Sequence, residues 1–320
     1  MIKNKTNKHD IDAVVLWVDG NDKSHIEKMQ PFVDNINDLK TDSFKSRFEH
    51  VNEIQFTIDS ILKFASYVRN IYIVTDNQKP LFLKKSKTNK YNNVHIIDHT
   101  LIFKGYEDYL PTFNSLSIES CIFRIPNLSE HFIYFNDDVF LINDTKPENF
   151  FVGGLPLIRG EWTKFDENKL HKRIKKPRKG HRNAQQFTAK IVGISKYFRF
   201  RHTPHPVRKS TFQSFYKAHN DLFIKNISYK FRNPNQYIPQ GLANHLEIKK
   251  KSCYFDSDYR LLYFRSYRKP FYWYKFKLHF RGKNALFMCA QSLNQSPKYI
   301  LTYILNWLNQ RINSNPSKSA

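Results

Sequence analysis

The residues best suited to chemistry are Asn136, Asp137 and Asp138, which abruptly end the apolar run Phe132–Phe135. Two adjacent carboxylates are costly to gather unless a cation or a moving proton uses them. A plain turn is the competing reading, because Asn and Asp commonly end strands. A second group is His202-Thr203-Pro204-His205-Pro206, where two prolines restrict the backbone around two imidazoles. Those prolines deny the helix that would aim both rings at one metal, and no cysteine joins them, so zinc is not supported. Cys121, Cys253 and Cys289 are odd in number and widely spaced. They offer neither a disulfide framework nor a CxxC site, which suggests a reducing compartment. No P-loop, GxGxxG or GxSxG occurs. An acidic strand end, a proline-fixed histidine pair and many arginines suit chemistry on a phosphate. Carboxylates hold a divalent cation, arginines clamp oxygens, and a histidine moves a proton.

The surrounding elements must put these groups together. Ile11–Val18 is a short β-rich run broken by Asp19-Gly20, and the apolar spacing over Asn52–Val68 predicts a helix with one buried face. Asn70–Thr75 and Asn93–Ile97 read as strands ending at Asp76 and Asp98; a helix is expected over Phe113–Phe123, and Phe132–Phe135 is the fourth strand. Strand–helix alternation predicts an α/β fold with a Rossmann-like parallel sheet. Ligands of such sheets bind beyond the carboxyl ends of the strands, where Asp19, Asp76, Asp98 and Asp137 would share one edge. Asp76 and Asp98 are expected to be nucleotide or structural contacts rather than catalysts. Residues 1–150 are read as this acidic-edged core. Residues 151–312 are read as a basic, mainly helical part completing the active site, and 313–320 as a frayed tail. Within the second part, Lys164–His181 is a cationic loop expected to be mobile when empty, and Gly241–Lys251 and Pro297–Arg311 look helical.

Charge separates along the chain. Of its 320 residues, 52 are Lys or Arg and 28 Asp or Glu, a net charge of +24. Residues 1–150 hold 18 basic and 21 acidic side chains, and the remainder holds 34 basic and only 7 acidic. Charge serving only solubility would not segregate this way, so an anionic partner is expected: a polysaccharide, nucleotide phosphates, a lipid head-group layer or nucleic acid. With no compact RNA-binding motif, nucleic acid is not expected. The polar N-terminus lacks a signal-like apolar stretch, and no apolar run of membrane-spanning length follows. The expectation is a soluble, cytoplasmic protein whose basic half can hold it at an anionic membrane surface.

Several segments resemble the Stealth family. IDAVVLWVDGND (Ile11–Asp22) is similar to its first conserved block. The second is similar in RFEHVNEIQFTIDSI (Arg47–Ile61), IYIVTDNQKP (Ile71–Pro80), LPTFNSLSIES (Leu110–Ser120) and FIYFNDDVFL (Phe132–Leu141). HTPHPVRKSTF (His202–Phe212) with Phe231-Arg232 resembles the third block, and FMCAQSL (Phe287–Leu293) the fourth. The family includes bacterial capsular-polysaccharide phosphotransferases and the animal N-acetylglucosamine-1-phosphotransferase. The resemblance implies transfer of a sugar-1-phosphate from a nucleotide sugar, such as a UDP-N-acetylhexosamine, to a hydroxyl of an acceptor glycan, and the charge distribution adds that this acceptor is an anionic polysaccharide. The resemblance also implies Asp138, Glu119, His202 and Arg232 as active-site residues. Gln291 stands where the animal form has Asn, and its longer amide can make the same hydrogen bonds.

Together these readings assign Mg²⁺ or Mn²⁺ to Asp138 with Asp137 or Asp19, and phosphate oxygens to Arg232 with Arg182. His202 is the first choice of general base, because its unperturbed pKa lies near neutrality; Asp138 is the alternative. A covalent phosphohistidine would also use His202. His205 either contacts substrate or orients its neighbour. Asp19, Asn114, Arg182, Asn183, His205 and Gln291 complete the expected substrate contacts. The rival reading is a conventional glycosyltransferase, which breaks the bond at the sugar carbon and releases a nucleoside diphosphate.

Overall fold

The computed structural model describes residues 10–33, 53–85, 88–168 and 180–314. Its centre is a five-stranded sheet in the order β3-β2-β1-β4-β9. The strands are β1 (Ile11–Leu16), β2 (Val68–Thr75), β3 (Val94–Asp98), β4 (His131–Asn136) and β9 (His205–Arg208). The first four run parallel, and β9 joins β4 antiparallel. Both faces are covered, which explains the nearly continuous apolar runs. In β4, Phe132 and Tyr134 enter the core on one face, and Ile133 and Phe135 the core on the other. The helices Glu53–Phe64 and Ser115–Cys121 lie within the expected spans, their ends drawn in by a few residues.

The N-terminal end of the sheet is fastened by a buried carboxylate. Arg69 grips Asp12 through Nε (3.0 Å) and Nη2 (2.7 Å), while the Ser129 amide donates to the same group (2.7 Å). This leaves the opposite, carboxyl-terminal end for the site.

Beyond Asp138 the chain leaves this sheet. β5 (Val139–Leu141) pairs antiparallel with β12 (Phe287–Ala290), which pairs parallel with β11 (Leu261–Phe264). A third sheet holds β6 (Phe151–Val152), β7 (Leu155–Thr163), β8 (Tyr197–Phe200) and β10 (Tyr254–Asp256). The second half is thus helical and also supplies short strands that periodicity did not isolate. Its helices include His181–Val192, Pro239–Lys249, Phe271–Arg281 and Lys298–Asn313. The compositional change near residue 150 does not divide the packing: Val14, Phe132, Phe212 and Leu242 share one core, and Val15 and Phe287 share another. Most of the expected cationic loop (169–179) and of the tail (315–320) lies outside the described residues, as do 47–52 of the second sequence block. Among the described residues no helix is long and apolar enough to cross a membrane.

Candidate active site

From β1 the chain steps outward to β2 and β3, then crosses back to add β4 on the other side of β1. Their carboxyl ends therefore flank a crevice, the usual ligand position in such sheets. Its lips are the Asp19 loop and the Asn136–Asp138 turn. Gln78 holds the first: it accepts from the Asp19 amide (2.8 Å) and donates to the Asp19 carbonyl (3.0 Å) and the Asp22 carboxylate (3.1 Å). Farther along the edge, Asp76 pairs with Lys28 (3.1 Å), and a hydrogen bond from His25 leads in lowering its pKa to about 2. Asp98 caps the helix His99–Ile102 by accepting from Thr100 N–H (2.9 Å). Both carboxylates are engaged by their own scaffold.

The Asp137–Asp138 turn is clamped from two sides. Thr57 donates its hydroxyl to the Asp137 carbonyl (2.6 Å), and Ala290 donates its amide to the Asp138 carbonyl (3.1 Å). The Cys289 thiol faces Asp138 Oδ2 at 3.8 Å. Gln291 follows directly. Its side-chain oxygen accepts from the Tyr263 hydroxyl (2.7 Å) and its carbonyl from the Tyr267 hydroxyl (3.1 Å).

Tyr263 also carries His202. The imidazole lies between Tyr263 (centroids 5.0 Å apart, planes 11°) and His181 (5.3 Å, 27°). Burial first, then Arg265 and Arg201, lower the His202 pKa, so the ring is neutral near pH 7 and able to accept a proton. His205 opens β9 directly opposite Tyr134 of β4. Burial and the nearby His202 push its pKa down to about 4.

From Tyr134 the network continues to the arginine. The Tyr134 hydroxyl lies 2.9 Å from Glu119 Oε1, to which it donates, and 3.0 Å from Asn136 Oδ1. Glu119 is buried, and desolvation raises its pKa against the opposing influence of Arg232 and its hydrogen bonds to Gln240, Tyr134 and Ser115. Arg232, exposed at the surface, donates Nη2 to Ser115 Oγ at 2.7 Å. Ser115 therefore bridges the arginine and its buried counter-charge.

The fold thus assembles Asp137, Asp138, Glu119, His202, His205, Arg232 and Gln291 at one end of β4, with Asp19 across the crevice. Two expectations change. Asn114 is fully buried: its Oδ1 caps the helix Ser115–Cys121, and its Nδ2 donates to Tyr229 O (3.1 Å), Phe231 O (2.9 Å) and Gln236 Oε1 (2.8 Å). It clamps the Arg232 segment, and its side-chain amide is taken up by these bonds within the protein. An Asn immediately before a helical run is itself a capping signal, which was the available clue. Arg182 pairs with Asp166 (2.6 Å) and neighbours Tyr197, because the first helical turn after Gly180 directs it toward that cluster. Asn183 lies half-buried in that same turn. The expected set omitted Tyr134, Tyr263 and His181. Nothing local marks the tyrosines, since each is one aromatic among several in an apolar strand.

The donor set bears on a metal. Among the described residues no group of three or more His, Cys, Asp or Glu side chains converges as a metal cage. Two adjacent, half-buried carboxylates at the crevice still fit a hard cation that keeps waters and takes its remaining oxygens from a diphosphate.

Comparison with known proteins places these features in a wider set. Residues 9–36 match Stealth protein conserved region 1, and residues 47–155 match conserved region 2. The chain is 34% identical over 259 residues to a capsular polysaccharide phosphotransferase of Haemophilus influenzae, covering 77% of this chain and 69% of that one. It is 32% identical over 243 residues to one of Actinobacillus pleuropneumoniae (73% and 64%). It is 33% identical over 254 residues to an exopolysaccharide phosphotransferase of Lactiplantibacillus plantarum (71% and 72%). The chain spans 64% of the Actinobacillus protein, and matches to two further relatives cover 39% and 40% of their lengths. Among solved structures it is similar to mouse xyloside xylosyltransferase 1, with 9% identity, 90% and 100% coverage and a TM-score of 0.42.

Proposed function

The chain belongs to the Stealth family, and from that premise we propose that it is a capsular or exopolysaccharide phosphotransferase. It moves a sugar-1-phosphate from a nucleotide sugar to a glycan hydroxyl. The observation that carries this reading is the meeting of Asp137–Asp138, His202 and Gln291, from distant parts of the chain, around one strand end.

In this reading the acceptor oxygen attacks the phosphorus next to the sugar. The bond from that phosphorus to the bridging oxygen breaks, and the nucleoside monophosphate leaves. His202, held neutral between two rings, takes the hydroxyl proton. Arg232 lies against phosphate oxygens and is held by Ser115 above the buried Glu119. Asp19 and Gln291 contact the donor from opposite lips, with Asn183 a further contact. His205 orients the His202 loop through its strand pairing. Asp137 and Asp138 would hold Mg²⁺ or Mn²⁺, which neutralises diphosphate charge when bound. The cationic second half attracts an anionic glycan, and the proposed location is the cytoplasmic face of a bacterial plasma membrane.

The test is the nucleotide released from UDP-, GDP- and CMP-sugars with Mg²⁺ and an oligosaccharide primer. A nucleoside monophosphate together with a new glycan phosphodiester is the expected result. A nucleoside diphosphate would make this a conventional glycosyltransferase. Asp138→Asn and His202→Ala should each lower transfer by about 100-fold or more with the fold retained by circular dichroism. Near-normal turnover would remove that residue from the mechanism.

A further inference from the structure

The helix Phe271–Arg281 has two unlike faces. Tyr274 and Leu278 are buried in the core beneath it. On the other side Tyr272, Phe276 and Phe280 recur every four residues and are 72%, 61% and 57% exposed. The last two rings pack against each other, centroids 4.4 Å apart. A groove lined by Phe271, Tyr299 and Tyr303 continues the aromatic surface onto the final helix. Clustered exposed aromatics of this kind mark a surface that something covers.

Their surroundings carry one sign of charge. Arg268, Lys269, Lys275, Arg281 and Lys283 are exposed around the helix. Asp258 is the last acidic residue of the chain, and residues 259–320 contain 11 Lys and Arg.

We propose that this face docks onto an anionic lipid bilayer, with the aromatic ridge at the head-group boundary and the flanking cations on lipid phosphates. The proposal deepens the membrane location given above and is independent of the transfer chemistry. Aromatic residues beside Lys and Arg on a surface-lying helix form the pattern that enters a membrane interface, and the cationic contribution weakens with salt. A lipid surface fits better than an acidic glycan, because Phe276 and Phe280 offer a sugar no hydrogen-bonding atom and stand on an open face. On the inner side, Lys277 donates to the Tyr263 carbonyl (2.7 Å). Docking would therefore fix the strand that supports His202 relative to the bilayer.

Flotation of the full chain with phosphatidylcholine vesicles, alone or with about 30% phosphatidylglycerol, tests this. The unmodified protein should float with the anionic vesicles, be released by high salt and ignore the neutral ones. Phe276→Ser with Phe280→Ser should weaken binding by at least ~10-fold without lowering the melting temperature. Leu81→Ser with Leu101→Ser, which alters exposed leucines elsewhere, should bind normally. No binding by the unmodified chain would overturn the proposal, and so would undiminished binding by the phenylalanine pair. Loss of binding only toward a soluble acidic glycan would assign the face to that ligand instead. Nucleotide release with a soluble primer should be unchanged in the phenylalanine pair. An absence of turnover in every protein would count against the transfer reading alone and leave the flotation result standing.

Discussion

His202 illustrates how a single side chain acquires its properties from its neighbours. Two stacked rings fix its plane, while burial and the cations Arg265 and Arg201 favour the neutral form. A base with a lowered pKa loses activity only when pH falls through that lowered value. The acid limb of kcat should therefore lie below the ordinary histidine value of about 6.5. Arg265→Gln removes a cation that opposes protonation, so the limb should move upward; a pH–rate profile of both proteins measures this. An acid limb above pH 7 in the unmodified protein would remove His202 as the proposed base. Glu119 is the contrasting case. It is a buried carboxyl whose contacts are Tyr134, Ser115, Gln240 and the charge of Arg232, and in the proposed mechanism its part is to position that arginine.

Among the elements, the short helix Ser115–Cys121 matters because of what its capping residue holds. Asn114 ties the helix start to the carbonyls of Tyr229 and Phe231, directly before Arg232. Asn114→Ala should destabilise the protein by about 2–3 kcal/mol through lost cap and unpaired carbonyls. It should also lower kcat by displacing the arginine; urea unfolding and single-turnover kinetics on one preparation separate the effects. Asn114→Asp retains the capping oxygen but turns a buried carboxylate oxygen toward the Tyr229 and Phe231 carbonyls and Gln236 Oε1, so it should destabilise at least as much as the alanine variant. The β7–β8 pair gives a second test. A Cβ on Gly160 would collide with the Phe198 ring and lie 2.6 Å from the Arg199 carbonyl. Gly160→Ala should cost roughly 1–3 kcal/mol, read as a lower denaturation midpoint.

Across the whole molecule, buried neutral histidines make stability depend on acid. Burial lowers His99 and His245 to about 4. His245 accepts the Phe198 amide at Nε2 (3.1 Å) and bonds the Gly241 carbonyl through Nδ1 (2.7 Å), an arrangement that requires the neutral ring. The unfolded chain binds protons near pH 6.5 and the folded chain does not. Stability is therefore full above that pH and is lost as pH falls toward 4, by about 3 kcal/mol for each residue. Thermal unfolding from pH 7 to 4 should show this loss, and a flat profile would mean that these rings protonate without penalty. The order of the four parallel strands and of the helices Glu53–Phe64 and Ser115–Cys121 was legible from residue pattern alone, because a sheet buried on both faces needs long β-rich runs broken by turn residues. The acidic strand end and the segregation of charge were legible in the same way, being properties of composition. Which carboxylates the scaffold engages, the clamp made by Asn114 and the pairing of Arg182 with Asp166 emerge only from the packed fold. It alone brought Tyr263 under His202 and β12 beside Asp138. Those outcomes depend on pairing between residues as far apart as Asp138 and Ala290, which local propensity does not encode.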